Sequence, residues 1–231
     1  PSIQGNEAIG FRSERHSKLI PYLPSSSLIL EAFRIIRANI HFITDSRTCK
    51  TILLTSSQSG DGKSLISGNL AIAMSMDNRR TIYVDADLRK GNGRNLFHME
   101  KRTGITNYVD GNAPLSKIIQ KTEFGNLYYL GAGPLSTNSS ELLSKKEMKE
   151  LLEELKKFFE VIIIDSPPLV VSDAIVLAGL ADSCILVADA KATKKKQAVQ
   201  SMEKLRKVNI HVLGAILNKG KLPEGGEGYY Y

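Results

Sequence analysis

Six short apolar runs alternate with longer stretches of helical periodicity, and this alternation constrains the fold more than any other feature. Each run is continuous in apolar residues, which is typical of a strand buried on both faces of a sheet. The runs occupy residues 51–55, 81–84, 127–130, 161–164, 184–187 and 211–217, and the clearest helical stretch between them is 141–159. Strands that alternate with helices pair in parallel through right-handed crossovers, so the sequence predicts a doubly wound, mainly parallel α/β sheet.

A further helix is predicted before the first strand, because apolar residues repeat at helical spacing over Leu28–Ile43 and serines in front of them can cap the helix. The segment before this helix is polar and irregular, whereas the end of the chain is rich in glycine and charge. The predicted organisation is an N-terminal arm or linker, a central domain and a flexible tail, at residues 1–27, 28–218 and 219–231. The chain begins with Pro1, so we expect either a trimmed initiator or a piece of a longer protein.

The composition argues against several classes of function. With 42% hydrophobic and 24% charged residues it is ordinary for a globular protein, and no apolar stretch approaches the length of about 18 residues that suggests a membrane span. Cys49 and Cys184 are far apart, which favours a reducing compartment and argues against a metal or iron–sulfur site. The net charge of +7 lacks the interleaved aromatic residues of a nucleic-acid platform, so no nucleic-acid binding is predicted.

The strongest local motif follows the first predicted strand and opens a helix. Residues 57–64 read Ser-Gln-Ser-Gly-Asp-Gly-Lys-Ser, which is the pattern of a phosphate-binding P-loop with Ser57 in place of the first glycine. Glycines in such a loop allow backbone amides to point at phosphates, and the helix N-terminus adds its positive end. A Gly/Ser turn that only resembles the motif is the alternative. The predicted nucleotide-binding residues in this region are Gln58, Ser59, Gly60, Asp61, Gly62, Lys63, Ser64 and Leu65.

Two other predicted strands end in carboxylates. Asp85 and Asp87 follow the second run, and Asp165 ends the fourth. Because ligands of doubly wound sheets bind beyond the carboxyl ends of the strands, these side chains are expected near the P-loop. Asp165 then occupies the Walker B position, where it can hold a water on Mg²⁺. Taken alone, each aspartate could simply end a strand in a turn.

Together these motifs resemble the bacterial tyrosine kinases, a family unrelated to the eukaryotic protein kinases. The P-loop corresponds to Walker A, residues 85–89 (Asp-Ala-Asp-Leu-Arg) to Walker A′, and residues 165–168 (Asp-Ser-Pro-Pro) to the end of Walker B. The predicted N-terminal helix carries an ExxRxxR element, and the chain ends in a tyrosine cluster. The ExxRxxR residues are Glu31, Arg34 and Arg37, and the cluster is Tyr229, Tyr230 and Tyr231.

The resemblance implies an ATP- and Mg²⁺-dependent protein-tyrosine kinase. The implied catalytic residues are Lys63, Asp85 and Asp87, and the implied metal residues are Ser64, Asp87 and Asp165. Asp85 would act as the base for the incoming tyrosine hydroxyl, whose pKa of about 10 demands little help until late in the transfer. Asn218, at the end of the last predicted strand, resembles the residue that faces the adenine in related ATPases.

The resemblance also implies partners. The tyrosine cluster would accept phosphate between subunits of a homo-oligomer arranged as a ring, which the ExxRxxR helix would help to assemble. A membrane-embedded activator of the polysaccharide co-polymerase type would hold the kinase at the cytoplasmic face of the membrane and connect it to capsule or exopolysaccharide synthesis. Only three adjacent tyrosines are present, which leaves the number of acceptors open, and the loop at residues 133–143 lacks the expected extra prolines.

Three other functions fit parts of this sequence. A partitioning or septum-positioning ATPase shares the P-loop but carries an extra lysine early in the loop, and none is present here. An iron–sulfur scaffold would need paired cysteines, which the chain lacks. An adaptor that binds ATP without transferring phosphate remains compatible with the motifs.

Overall fold

All six predicted strands are present in the computed structural model, which describes residues 18–44 and 50–220. A seventh strand, of three residues, is added between the second and third predicted ones. The strands are β1 (Thr51–Ser56), β2 (Thr81–Asp85), β3 (Ile119–Lys121), β4 (Leu127–Leu130), β5 (Val161–Asp165), β6 (Ser183–Asp189) and β7 (His211–Asn218). The added strand β3 reads Ile-Gln-Lys and is too short and polar to stand out in the sequence.

The strands form one sheet in the order β3-β4-β2-β5-β1-β6-β7. Every neighbouring pair is parallel except β3 and β4, which pair antiparallel at one edge. The strand β1 lies between β5 and β6: the chain runs from β1 to β2 on one side of it, and later passes from β5 to β6 on the other. This arrangement confirms the predicted doubly wound fold and opens a crevice at the carboxyl ends of β1, β2 and β5.

Continuous apolar runs form these strands because both faces of the sheet are covered. Neighbouring side chains of a strand point to opposite faces, and in β1 the side chain of Leu53 joins one buried cluster while those of Ile52 and Leu54 join another. The helices around the sheet are α1 (Leu28–Ile43), α2 (Lys63–Ser75), α3 (Gly93–Leu96), α4 (Ile105–Val109), α5 (Leu115–Ile118), α6 (Ser139–Ser144), α7 (Lys146–Phe158), α8 (Asp173–Ala178) and α9 (Lys195–Lys207). Within the described ranges, no helix is long and apolar enough to cross a bilayer.

The helix α1 has the predicted bounds. Its N-cap is Ser27, whose hydroxyl accepts a hydrogen bond from the amide of Ile29 at 3.3 Å. Phe33 and Ile40 are buried on the side that packs against α2. Burying an apolar side chain of this size contributes about 1.5–3 kcal/mol, so these two residues dock the added helix on the core.

Two predicted boundaries need correction. The stretch 141–159 is two helices, α6 and α7, because Lys145 between them has extended backbone angles (φ −65°, ψ 150°). Ser144 binds the carbonyl of Ser140 with its own hydroxyl, which competes with helix continuation. The predicted arm is also shorter than expected: Leu19 and Ile20 are buried, and the Ile20 amide donates to Asn69 Oδ1 at 2.8 Å.

Candidate active site

The P-loop joins the end of β1 to the start of α2, as the sequence predicts. Gly60 and Gly62 have left-handed backbone angles (φ 95° and 88°) that side chains other than glycine rarely adopt. A Cβ atom at Gly62 would also meet the side-chain amide of Asn218, so a larger residue there would displace that side chain. The Asn218 amide donates to the carbonyl of Asp61 at 2.9 Å, and its predicted role toward adenine stays a prediction.

Ser57 fits where the motif usually has glycine because it is not among the residues with positive φ. Its hydroxyl accepts a hydrogen bond of 3.0 Å from Ser201 on α9, and both side chains are buried. On the other side of the loop, Asp61 accepts bonds from the Thr193 hydroxyl at 3.0 Å and from the Gln58 amide at 3.1 Å. These bonds fix the P-loop against α9 and the segment that precedes it.

Lys63 and Asp165 form a buried ion pair at the centre of the site. The lysine Nζ lies 2.7 Å from Asp165 Oδ1, and the two side chains are 8% and 1% exposed. Ser67 donates to the same oxygen at 3.0 Å, and the hydroxyl of Tyr83 donates to Oδ2 at 2.9 Å. Both oxygens of Asp165 therefore have partners, two of them on α2 and one on β2.

Asp85 is surrounded quite differently. It is fully buried, and its Oδ2 accepts a 2.7 Å hydrogen bond from the amide of Gly93, whereas Oδ1 has no partner among the described residues. Burial raises the pKa of Asp85 to about 7, and the negative charge of Asp165 on the neighbouring strand adds to the increase. Burial also raises the pKa of Asp87, whose Oδ1 accepts the amide of Lys90 at 3.2 Å.

A cavity of about 380 Å³ opens over the P-loop, within the range of small-ligand sites. The predicted residues that line it are Ser59, Gly60, Asp61, Gly62, Lys63, Ser64, Leu65 and Asp87. The predicted residues Gln58, Asp85, Asp165 and Asn218 are not among the residues that line it. Three further lysines line the cavity although the sequence did not single them out: Lys18, Lys90 and Lys219. Lys219 Nζ binds the Gly60 carbonyl at 2.8 Å and Asp189 at 2.6 Å.

The oxygen donors present fit Mg²⁺. The Ser64 hydroxyl and the Asp87 carboxylate line the same cavity, and hard oxygen ligands are the ones that this ion prefers. The predicted metal role of Asp165 requires Lys63 to leave Oδ1, since the ammonium group is bonded there in this structure. Within residues 18–44 and 50–220, no three His, Cys, Asp or Glu side chains form a ready metal cluster.

The other predicted sites are separate from the cavity. On α1, Arg34 pairs with Glu31 at 3.2 Å and both side chains are more than half exposed. Arg37 instead binds its own chain, at 3.0 Å to Asp77 and 3.0 Å to the Ala73 carbonyl. The three C-terminal tyrosines lie outside the described residues.

Two contributors to the site were missed, although the sequence carries a signal for each. Tyr83 precedes Asp85 by two positions, so a strand directs both side chains to one face. Ser67 follows Lys63 by four positions, so a helix places the two side chains on one face. Neither spacing reveals Asp165 as the shared partner, because that contact depends on the strand order.

Comparison with known proteins agrees with this architecture. A family model described as an AAA domain matches residues 49–216. The tyrosine-protein kinase YwqD of Bacillus subtilis is 35% identical over 223 residues, which are 96% of this chain and 93% of YwqD. The crystal structure of the chimerical protein CapA2B2 has a TM-score of 0.83 and 31% identity, and the match covers 88% of this chain and 90% of that one. The kinase domain of the Escherichia coli tyrosine kinase ETK has a TM-score of 0.80 and 32% identity, with coverage of 87% and 79%.

The fold and the P-loop cavity define a nucleotide-binding domain of the P-loop ATPase class. Similarity of fold does not by itself distinguish the members of that class. The septum site-determining protein MinD of Pyrococcus horikoshii, with a TM-score of 0.65 and 24% identity to this chain, shares the fold alone. The similarity to YwqD over nearly the whole of both chains is more specific. The chain belongs to the bacterial tyrosine-protein kinases, and the predicted family and enzyme class are confirmed.

Proposed function

We propose that this kinase transfers the γ-phosphoryl group of ATP, with Mg²⁺, to the tyrosines of its own C-terminal cluster. The observation that carries the proposal is the convergence of Lys63, Asp85, Asp87 and Asp165 beside one cavity over the P-loop. In the transfer, the tyrosine oxygen forms a bond to the γ-phosphorus while the bond from that phosphorus to the bridging oxygen breaks. ADP leaves, and the phenolic proton goes to Asp85.

Lys63 has two roles in this proposal. Without nucleotide its ammonium group neutralises Asp165, which would otherwise be a buried, uncompensated charge. When nucleotide occupies the cavity, Lys63 turns to the phosphates and stabilises the charge that develops there. Asp165, freed from the lysine, would hold Mg²⁺ and its waters together with Ser64 and Asp87. The metal ion, when bound, neutralises charge on the phosphate oxygens.

Asp85 suits the role of general base because its pKa is raised to about 7. A base is most effective when its pKa lies close to the pH at which it works. Its Oδ1 has no partner in the part of the chain that the structure describes and is available to accept a proton, whereas Oδ2 accepts the Gly93 amide. Since Asp85 is fully buried, the acceptor must reach it past the segment that follows β2, which carries Gly93.

The acceptor tyrosines are proposed to come from a neighbouring subunit of a homo-oligomeric ring. At roughly 3.4 Å per extended residue, the tail that begins near Lys219 spans about 40 Å, enough to reach another copy. Glu31 and Arg34 are exposed on α1 and can pair across an interface, while Arg37 holds the helix on its own domain. Phosphates added to the tail bring about −1.5 to −2 charges each, which would favour disassembly.

The activator is proposed to be a membrane-embedded protein of the polysaccharide co-polymerase type, which would place the kinase at the cytoplasmic face of the membrane. The regulated process would be capsule or exopolysaccharide synthesis. Support for this part comes from the family, whose members include a putative tyrosine-protein kinase in the cps region of Klebsiella pneumoniae.

Mixing two variants, neither of which should label itself, tests the proposed function. The Lys63→Met chain keeps its tyrosines but lacks the phosphate-binding lysine, and a chain with Phe at residues 229–231 keeps the active site but lacks acceptors. Incubated together with Mg²⁺-ATP, they should produce phosphotyrosine on the Lys63→Met chain, detected by antibody. If the wild-type chain hydrolyses ATP without producing phosphotyrosine, a partitioning-type ATPase becomes the better description.

A further inference from the structure

Asp173, the first residue of α8, binds two other segments of the chain. Its side chain is fully buried, and Arg89 makes a bidentate bond to it, with Nε 3.0 Å from Oδ2 and Nη2 3.1 Å from Oδ1. The hydroxyl of Ser139 donates to Oδ2 and that of Ser140 to Oδ1, both at 2.5 Å. Each oxygen of Asp173 therefore accepts one bond from the guanidinium group and one from a hydroxyl.

The Asp173 carboxylate is held in its ionised form by these donors. Burial acts to raise the pKa of Asp173, but the hydrogen bonds from Arg89, Ser139 and Ser140 outweigh burial and lower the pKa to about 2. A buried charge that loses its partner is strongly destabilising. The carboxylate and its donors therefore hold one another in place at neutral pH.

The contacts of Asp173 connect three segments that follow neighbouring strands. Arg89 lies after β2, the two serines are the first residues of α6 after β4, and Asp173 lies after β5. The strands β4, β2 and β5 are adjacent and parallel, so all three segments leave the sheet at the same edge. The amide of Ser136 also donates to the carbonyl of Leu88 at 3.0 Å. The segment after β2 is therefore fixed by both of its neighbours.

Asp87, the proposed metal residue, lies in the segment that is fixed in this way. Its carboxylate accepts the main-chain amides of Arg89 and Lys90, the latter at 3.2 Å from Oδ1, and its carbonyl accepts the amides of Lys90 and Gly91 at 3.1 and 2.8 Å. Arg89 therefore contacts two carboxylates at once, Asp87 through its main chain and Asp173 through its side chain. A shift of Arg89 would move Asp87 with it.

We infer that Arg89 and Asp173 are positioning residues, which hold the Asp87 carboxylate in the orientation that binds Mg²⁺. Neither Arg89 nor Asp173 lines the nucleotide cavity, so both act through Asp87. Partners that orient a metal ligand in this way typically contribute about 10–100-fold to metal affinity. The inference rests on the proposed function, in which Asp87 holds Mg²⁺.

A titration with Mg²⁺ tests this inference by binding rather than by turnover. Fluorescently labelled ADP is bound to the full chain without divalent metal, and the increase in its affinity is followed as Mg²⁺ is added. Arg89→Gln should raise the Mg²⁺ concentration at half-maximal effect by at least about tenfold, while the affinity for ADP without metal stays within about twofold of the wild-type value. Arg89→Lys keeps the charge but not the bidentate geometry, so its shift should be smaller.

The pairing of the two residues also predicts how their substitutions combine. Asp173→Asn should raise the Mg²⁺ requirement as Arg89→Gln does. The double variant should raise it no further than the larger of the two single substitutions, because both break one contact. Shifts that add would show that the two residues act independently, which would overturn the inference.

The matched control breaks an ion pair at the other end of the strands. Lys156→Gln removes the 3.0 Å pair with Asp182, which accepts the amides of Lys50 and Thr51 at the amino end of β1. It should lower the Tm, as Arg89→Gln does, but leave the Mg²⁺ requirement within about twofold of the wild-type value. An equal rise of the requirement in Lys156→Gln, or no rise in Arg89→Gln, would overturn the positioning role.

Asp87→Asn separates this inference from the proposed function in the same titration. If its Mg²⁺ requirement equals that of the wild-type chain, the metal role of Asp87 and the positioning role of its neighbours both fail. If Asp87→Asn raises the requirement and Arg89→Gln does not, the metal role stands and only the positioning role fails.

Discussion

Asp85 and Asp165 lie opposite each other at the ends of β2 and β5, yet their surroundings differ sharply. Asp165 is bonded to an ammonium group and two hydroxyls, whereas among residues 18–44 and 50–220 Asp85 has one backbone donor on Oδ2 and no partner on Oδ1. The comparison teaches that position in a sheet does not decide what a carboxylate does; the donors around it do.

The largest effect is expected from breaking the ion pair between Lys63 and Asp165. Lys63→Met should lower autophosphorylation by at least about 10³-fold, because it removes the cation that stabilises charge at the transferred phosphate. It should also destabilise the fold by about 3 kcal/mol, since Asp165 is left buried without its counter-charge. Phosphotyrosine formation and urea unfolding measure the two effects.

The control for this prediction is the double variant Lys63→Met with Asp165→Asn. It should recover most of the lost stability, because the buried charge is gone, but none of the activity. Equal stability of the wild-type and Lys63→Met chains would show that the ion pair contributes nothing to the fold.

The second-largest effect is expected at Asp85, the proposed general base. Asp85→Asn should slow phosphoryl transfer by about 10²–10⁴-fold, the usual contribution of a general base, while nucleotide affinity stays close to that of the wild-type chain. The measurement is the single-turnover rate beside a fluorescence titration with a labelled nucleotide. A variant that labels itself at the wild-type rate would remove Asp85 from the mechanism.

Asp85 should also make stability depend on pH. Because its pKa is raised to about 7 in the folded chain, the folded state holds the proton more tightly than the unfolded state does. The stability that protonated Asp85 contributes is therefore present at low pH and lost as the pH rises toward 7. Asp85→Asn has no carboxyl group at this position to lose a proton. The Tm of the variant should therefore rise relative to that of the wild-type chain as the pH increases from about 5 to about 8. A constant difference across this range would contradict the raised pKa.

A smaller effect is expected when Asp165 loses one neutral donor. Tyr83→Phe removes the hydroxyl bonded to Oδ2 and should cost about 1–2 kcal/mol in the free energy of unfolding. Tyr129→Phe is the matched control, because its ring is stacked on Tyr83, with centroids 6.0 Å apart, and no hydrogen bond joins it to Asp165. Both variants keep the aromatic packing, so equal losses would mean that the bond to Asp165 is not the cause.

The smallest effect on stability is expected on α1. Arg37→Ala should lower the free energy of unfolding by about 1 kcal/mol because it removes the bonds to Asp77 and the Ala73 carbonyl, whereas Arg34→Ala should lower it by less than about 0.5 kcal/mol.

The same two arginines test the proposed ring. In the unphosphorylated Lys63→Met background, light scattering should show large particles that become small when both arginines are replaced. A strictly monomeric Lys63→Met chain at high concentration, with activator sequences supplied, would refute the proposed ring.

The sequence predicted what depends on local pattern. Six strands could be located because burial on both faces of a sheet requires a continuous apolar run. The helix α1 could be located because burial on one face of a helix requires apolar residues at helical spacing. Leu19 and Ile20 could not be placed in the core, because a two-residue anchor in a polar segment has no periodicity. The P-loop and the aspartates followed from motifs and from the rule that strand ends meet.

The connections within the site could not be predicted. The bond of Ser201 to Ser57 joins residues 144 positions apart, and that of Tyr83 to Asp165 joins residues 82 positions apart. Such contacts depend on which strands and helices become neighbours, and a single sequence does not give that order.

The central claim is that phosphate from ATP ends on the C-terminal tyrosines, and site mapping by mass spectrometry tests it most directly. After incubation of the wild-type chain with Mg²⁺-ATP, nearly all phosphate should lie on Tyr229, Tyr230 and Tyr231, and replacing these three with Phe should abolish incorporation while ATP hydrolysis continues. Phosphate found instead on Tyr83, Tyr108 or Tyr128, or unchanged incorporation in the Phe variant, would contradict the claim.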